Sequence, residues 1–296
     1  MKIYIRYLLF RLVIALCNIL PQRFLYFIAV RVGDLNYYWL DPAGRRAVLA
    51  NLRQVLPDAT DARIAKEARW VFRNFGKYLT EFFRFRRFDV DWFRANMAFR
   101  GLEHIDAALA VGKGCIISSA HLANWELGAA GLSILGGRKM TVVVAMHRFG
   151  KINDLFMRER EAVGLTVADM EKNAARVLMR ALRRNEVVGV MGDRDPTEQG
   201  VVVNFFGKPC RFPQGPARMA LATGAPVIPA FCLRRTNDSF STVFLPPLPV
   251  PEEGSRDERV LAITQAFAGI IEDAIRMHPE QWAVFYSFWD ANWRPE

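Results

Sequence analysis

From Gly101 onward the chain alternates short apolar runs with stretches whose apolar residues recur at helical spacing, and this alternation limits the fold more than any other feature. Runs at 114–119, 140–145, 186–192, 201–206, 227–233 and 241–245 read as strands. Helices are expected between and after them, at 124–135, 152–163, 172–184, 213–223 and 257–277. Such a pattern requires a central sheet, here expected to be mixed, covered by helices: an α/β fold. The proline-rich stretch at 245–251 is a connection before the last helix. No internal repeat and no low-complexity segment is present.

The first hundred residues have a different texture. Residues 3–30 are mostly apolar but carry Arg6, Arg11 and Arg23, with Pro21 as a break. A spanning helix needs about 20 apolar residues with few or no charges, so a membrane-inserted or interfacial helix with snorkelling arginines is expected instead. A buried core helix is the alternative. A removable signal peptide is not expected, since no small-residue cleavage site follows a compact apolar region. Residues 1–40 thus read as a membrane-anchoring helical segment, 41–96 as a helical entry with Thr60 capping its second helix, and 97–296 as the α/β core. At the end of the entry, Phe82-Phe83-Arg84-Phe85-Arg86-Arg87-Phe88 suits either a lipid interface or a basic helix end packed on the core.

The 296-residue chain has a net charge of +10, which points to a polyanionic partner: nucleic acid, anionic lipid or an acidic carrier. Nucleic acid is disfavoured because no RNP-like, zinc-finger or helix-turn-helix signature accompanies the charge. The four cysteines lie far apart and form no C-x-x-C, consistent with a reducing compartment and no structural zinc.

Chemistry concentrates at Ser119-Ala120-His121-Leu122-Ala123-Asn124-Trp125-Glu126. On one helix, residues five apart point away from each other by roughly 140°. His121 and Glu126 can therefore share a site only if His121 sits in a loop and Glu126 in the first turns of a helix, which Asn124 is placed to cap. The carboxylate could then fix one ring nitrogen while the other acts as base. No Gly-x-Ser-x-Gly elbow or cysteine nucleophile motif is present, so a substrate hydroxyl is the group to be activated. With four histidines and no H-x-x-x-H, metal chemistry is not indicated. No cofactor is called for. His104 and His147 read as structural, and His278 as a helix C-terminal residue.

In context this motif resembles the lysophospholipid acyltransferase superfamily and, within it, the lipid A late (lauroyl/myristoyl) acyltransferases. The resemblance extends through Gly101-Leu102-Glu103-His104, Gly112-Lys113-Gly114, Asn153, Arg160 before Gly164, Gly192-Asp193-Arg194-Asp195, Val203-Asn204-Phe205-Phe206-Gly207, Thr223-Gly224-Ala225-Pro226-Val227-Ile228-Pro229 and Pro279-Glu280-Gln281-Trp282. It implies a glycerolipid acyltransferase-like fold at the cytoplasmic face of a bacterial inner membrane. The implied reaction moves a fatty acyl chain from acyl carrier protein, or from acyl-CoA, to a hydroxyl of an anionic glycolipid, with a lipid A precursor as the first expectation. His121 matches the base and Glu126 its orienting carboxylate, and replacing either by Ala is expected to stop transfer in a protein that still folds. Asn124, Arg160, Asp193, Arg194 and Asp195 match substrate-binding or supporting positions. Asp193 and Asp195 follow an apolar strand, where open α/β sheets place ligands. Phe205-Phe206-Gly207 and Gly215-Pro216 are expected to shape a wall around the acyl chain and a turn.

Two departures from the family pattern are present, the second of which bears on the acceptor. The family usually has Gly where this chain has Ala123, which matters if the backbone there needs positive φ. After Trp282 a His/Arg-rich stretch is usual in lipid A enzymes, whereas here Ala283-Val284-Phe285-Tyr286-Ser287-Phe288-Trp289 follows. Segments around Asp193-Arg194-Asp195, Phe205-Phe206-Gly207 and Pro213-Gln214-Gly215-Pro216-Ala217 also look like phosphatidylinositol mannoside acyltransferases. A thioesterase, or a basic membrane- or nucleic-acid-binding protein with a purely structural His/Glu pair, are the readings from other classes.

Overall fold

The computed structural model describes residues 2–145, 150–195 and 199–292. Two apolar helices come first, α1 (Lys2–Ile19) and α2 (Gln22–Leu35), separated by Pro21, whose φ of −60° and missing N–H suit a helix start. A π-helical turn (Asn36–Leu40) leads to α3 (Pro42–Val55), capped by Asp41, and to α4 (Asp61–Phe82), capped by Thr60. After α5 (Val90–Asn96) the alternation begins with β1 (Met97–Arg100), α6 (Leu102–Ala110), β2 (Cys115–Ser119), α7 (Trp125–Gly136) and β3 (Met140–Val144). It continues with α8 (Gly150–Ala162), β4 (Leu165–Asp169), α9 (Ala174–Arg183), β5 (Val187–Met191), β6 (Val201–Phe205), β7 (Lys208–Phe212) and α10 (Gly215–Thr223). The chain then forms β8 (Val227–Arg234), β9 (Phe240–Phe244), α11 (Arg256–Met277) and α12 (Phe288–Asn292).

Seven strands form one sheet in the order β1-β9-β8-β2-β5-β3-β4, parallel throughout except for the β8/β9 pair, so the expected mixed sheet flanked by helices is present. β6 and β7 make a separate antiparallel hairpin. Strand β2 is central, and its apolar run is buried because helices cover both faces. One core cluster includes α9, α10, α11 and the hairpin; a second includes α5, α6, α7 and the ends of α1 and α4; a third joins α3 to α4 around Leu52, Ile64 and Phe72. β1, β4 and β7 were not among the expected strands. β1 and β4 are edge strands with only partly buried patterns, and β7 contains Lys208, Pro209 and Arg211, so none presents a clean apolar run.

The Phe/Arg stretch at the end of α4 resolves toward the core. Phe82, Phe83, Phe85 and Phe88 are buried, and Arg84 is buried too, bonding the carbonyls of Cys17 and Leu20 at the end of α1. That guanidinium satisfies acceptors a helix end otherwise leaves open. Only Arg86 and Arg87 reach solvent. Among the described residues no helix is long and apolar enough to cross a membrane. The outer faces of α1 and α2 nevertheless expose Leu8, Leu9, Leu12, Leu16, Phe24 and Phe27, and the turn after them exposes Trp39 and Leu40.

Candidate active site

Parallel pairing aligns the carboxyl ends of β2 and β5, with Ser119 opposite Met191. Two residues beyond these ends stand His121 and Asp193. The His121 Nδ1 lies 2.8 Å from Asp193 Oδ1, and the His121 backbone N–H donates to Oδ2 at 2.8 Å. One carboxylate, 1% exposed, therefore fixes both the ring and the backbone of the histidine. The expected carboxylate partner was Glu126; the structure assigns that contact to Asp193 instead, because strand adjacency brings residue 193 closer than the helix turn brings 126. Burial lowers the affinity of the ring for a proton, but the Asp193 charge and hydrogen bond outweigh it and hold the imidazole pKa above its ordinary value. With Nδ1–H donated to Asp193, Nε2 is the nitrogen that can accept a proton, and the side chain is 27% exposed, enough to be reached.

The loop carrying His121 is itself held. Ala123 has φ +58°. Its N–H donates to Gln281 O and the Ala283 N–H to His121 O, both at 2.8 Å, so Leu122 and Trp282 form an antiparallel bridge. The Pro-Glu-Gln-Trp segment thus clamps the loop, a role its sequence did not disclose. A left-handed conformation is unfavourable for alanine by roughly 1–2 kcal/mol relative to the right-handed one. Ala123→Gly should accordingly raise folding stability by about 1 kcal/mol, read from the urea midpoint at unchanged m-value. A lowered midpoint would show that the loop does not keep this conformation in solution.

Glu126 occupies the first turn of α7, as the spacing required, but faces Arg160 of α8. Arg160 Nε is 3.1 Å from each Glu126 oxygen, and a terminal nitrogen completes a two-pronged pair. The guanidinium also lies 5.0 Å from the Phe82 ring centroid. Both side chains are nearly buried. Burial disfavours the charged Arg160, and Glu126 more than compensates, raising its pKa. Tyr78 and Trp125 pack ring to ring at 4.7 Å, and Trp125 stands edge-on to His121 at 5.1 Å.

The remaining candidates separate. Asn124 caps α7 through Leu127 N–H and is 1% exposed, so it faces inward and not toward a ligand. Asp195 is buried and accepts the Gly200 N–H, as a turn-capping carboxylate would. Arg194 is exposed beside His121, with its guanidinium 4.9 Å from the Tyr286 ring. Phe205 and Phe206 do not line a wall near the histidine; they are buried against Trp289, and Phe205 also against Trp282 and Phe288. Gly215-Pro216 begins α10. His278 closes α11, and His147 lies outside the described residues.

Between α7 and the sheet runs a mostly apolar cleft with about 660 Å³ of empty space, its mouth included. Ser119, Trp125 and Glu126 line it on the side of His121; Ile117, Val142, Gly189, Leu132 and Met140 line it further along the strands. Gly189 keeps it open, since a Cβ there would meet Met140 Cε at 2.5 Å. Among the described residues no cluster of His, Cys, Asp or Glu could hold a metal ion.

A histidine held by a buried carboxylate thus stands next to residues that line an apolar cleft, and known proteins with similar sequences bear acyltransferase names. A phosphatidylinositol mannoside acyltransferase of Mycobacterium tuberculosis is 35% identical over 195 residues, 65% of this chain and 60% of the relative. The corresponding protein of Mycolicibacterium smegmatis is 28% identical over 222 residues, 74% and 71% of the two chains. A lipid A biosynthesis acyltransferase of Haemophilus influenzae is 32% identical over 135 residues, 45% and 42%. The matched part thus spans 60% of the length of the Mycobacterium tuberculosis relative. The profile of the family described as bacterial lipid A biosynthesis acyltransferase matches residues 1–290, and the chain belongs to that family.

Proposed function

We propose that the protein is a membrane-associated O-acyltransferase that moves a fatty acyl chain from a thioester, on acyl carrier protein or coenzyme A, to a hydroxyl of an anionic glycolipid. The observation that carries this reading is the His121–Asp193 pair next to an apolar cleft lined by Ser119 and Trp125, the latter 5.1 Å from the His121 ring. His121 Nε2 takes the proton of the acceptor hydroxyl as its oxygen attacks the thioester carbonyl, and Asp193 stabilises the imidazolium that forms. The tetrahedral intermediate collapses, the carbon–sulfur bond breaks, and the proton passes to the leaving thiolate. Burial of the acyl chain in the cleft favours binding by about 0.8 kcal/mol per methylene. Arg194, exposed beside His121, supplies a cation for an acceptor phosphate.

Two acceptor classes follow from the relatives. A lipid A precursor is the reading attached to the family description, whereas a phosphatidylinositol mannoside-type lipid is favoured by the longer matches and by the aromatic segment after Trp282. The exposed apolar residues of α1 and α2, with Arg11, Arg23 and Arg31, suit a pair of helices lying in an anionic lipid surface at the cytoplasmic face of an inner membrane.

The test is incubation of purified protein with labelled acyl thioesters, on the carrier protein and on coenzyme A, and with each acceptor presented in anionic vesicles. Labelled acylated glycolipid is expected, and Phe24→Ser/Phe27→Ser should lower the rate on vesicles. Acyl release without acylated lipid would replace the transferase reading by a thioesterase, and no turnover of any thioester would remove it.

A further inference from the structure

Behind the His121 loop lies a buried polar hub that the reaction outlined above does not use. Glu81 of α4 is fully buried, and both its oxygens accept from groups on three other parts of the chain. Tyr26 of α2 donates its hydroxyl to Oε1 at 2.5 Å. Asn124 donates its amide to Oε2 at 2.5 Å, and Arg234 at the end of β8 reaches Oε1 at 2.6 Å and Oε2 at 2.8 Å. Every partner is a donor, so the site calls for an acceptor-only group, an ionised carboxylate. The same Asn124 uses its Oδ1 to cap Leu127, and its N–H donates to Cys232 O. Arg234 is bracketed in turn by Gln281, which accepts from its N–H at 2.9 Å and donates to its carbonyl at 3.0 Å. Gln281 O is the acceptor that holds Ala123 at positive φ.

We infer that Glu81 is a positioning residue for the acyl-transfer step: through Asn124 on one side, and through Arg234 and Gln281 on the other, it sets the loop that aims His121 at Asp193. The inference rests on the reading of His121 as the base. A cap alone would not need Glu81, since Asn124 already caps α7 with its own oxygen. The charged hub adds a fixed distance between α4 and the loop, and a displacement of a catalytic group by about 1 Å can lower a rate a hundredfold. Because Tyr26 belongs to the helix whose outer face exposes Phe24 and Phe27, the hub also ties the loop to that surface.

The experiment exchanges the two side chains that meet in the hub. Glu81→Gln places an amide donor against Asn124, and Asn124→Asp keeps the helix cap but sets two carboxylates face to face. The double variant Glu81→Gln/Asn124→Asp restores one donor and one acceptor with roles reversed, and Arg234 keeps the Asp238 carboxylate at 3.4 Å. Each single variant is expected to lose roughly ten- to a hundredfold in kcat with little change in KM, and to shift the acidic limb of the pH profile, with the double variant recovering most of both. Assays are run on protein shown to be folded by circular dichroism. If Glu81→Gln does not fold, Asn124→Ser, which keeps a cap but loses the amide donor, is expected to show the same kcat loss and pH shift. Wild-type kcat and pH profile in Glu81→Gln or Asn124→Ser, or a double variant no better than the singles, overturns the inference while the base assignment stands. Turnover by His121→Ala overturns the base assignment itself.

Discussion

Purified Asp193→Asn protein is expected to lose roughly 10³-fold or more of its transfer rate, close to the loss in His121→Ala, although its fold keeps a side chain of the same shape. An asparagine amide donates to Nδ1, which fixes the ring proton on Nε2 and removes the lone pair that must receive the acceptor's proton. The pH profile gives a second reading of the same substitution. A histidine that serves as the proposed base must be neutral, and the Asp193 charge raises the pKa of this ring. Without the charge the acidic limb should move to lower pH, even as the plateau falls. An acidic limb that stays in place, or a rate near that of the unaltered protein, would exclude Asp193 as the partner of the base.

The second large effect concerns stability. Glu126 and Arg160 form an almost buried two-pronged pair, so removal of one partner strands the other charge in the protein interior. Breaking such a pair from one side commonly costs about 3–5 kcal/mol, whereas replacing both partners by apolar groups of similar volume is often neutral. Glu126→Ala should therefore unfold at a clearly lower urea concentration, a loss of stability that comes on top of the loss of transfer expected from sequence. Glu126→Leu/Arg160→Met should recover most of the lost midpoint. If Glu126→Ala unfolds at the concentration of the unaltered protein, the pair is not closed in solution, and Glu126 returns as a candidate for direct contact with the histidine.

The placement of His121 was legible because its position, just past an apolar run and just before a cap and a helix, is a local property of sequence. Its carboxylate partner was misread for a physical reason. Glu126 is near in sequence, but Asp193 is near in space, and the equivalence of the two positions appears only once β2 is known to pair with β5. The run 186–192 followed by Asp193 carried the signal, since both residues stand just beyond the ends of apolar strands. Ala123 was flagged only conditionally, and the backbone there does take the conformation that favours glycine. The hub around Glu81 had no sequence signature at all: a glutamate amid Leu79, Phe82 and Phe83 looks like the polar edge of an amphipathic helix until Arg234 and Asn124 are seen to meet it. The core strands were found from their apolar runs. The edge strands were not, because half-exposed strands dilute the pattern.

The strand order also bears on how the protein is made. Met97 pairs with Phe240, Ile116 with Val227, and the loop of His121 is fastened by Asp193 and Gln281, so the first strands of the sheet wait for partners synthesised long after them. The two apolar helices, by contrast, leave the ribosome before any of the sheet exists; α2 packs chiefly on α4, whereas Phe10 of α1 also needs Phe156 of α8. Synthesis from the amino terminus favours early events that depend on nearby sequence. The α2–α4 contact can therefore form while most of the sheet is still unmade, and the loop of His121 would lock only after residue 281 had emerged.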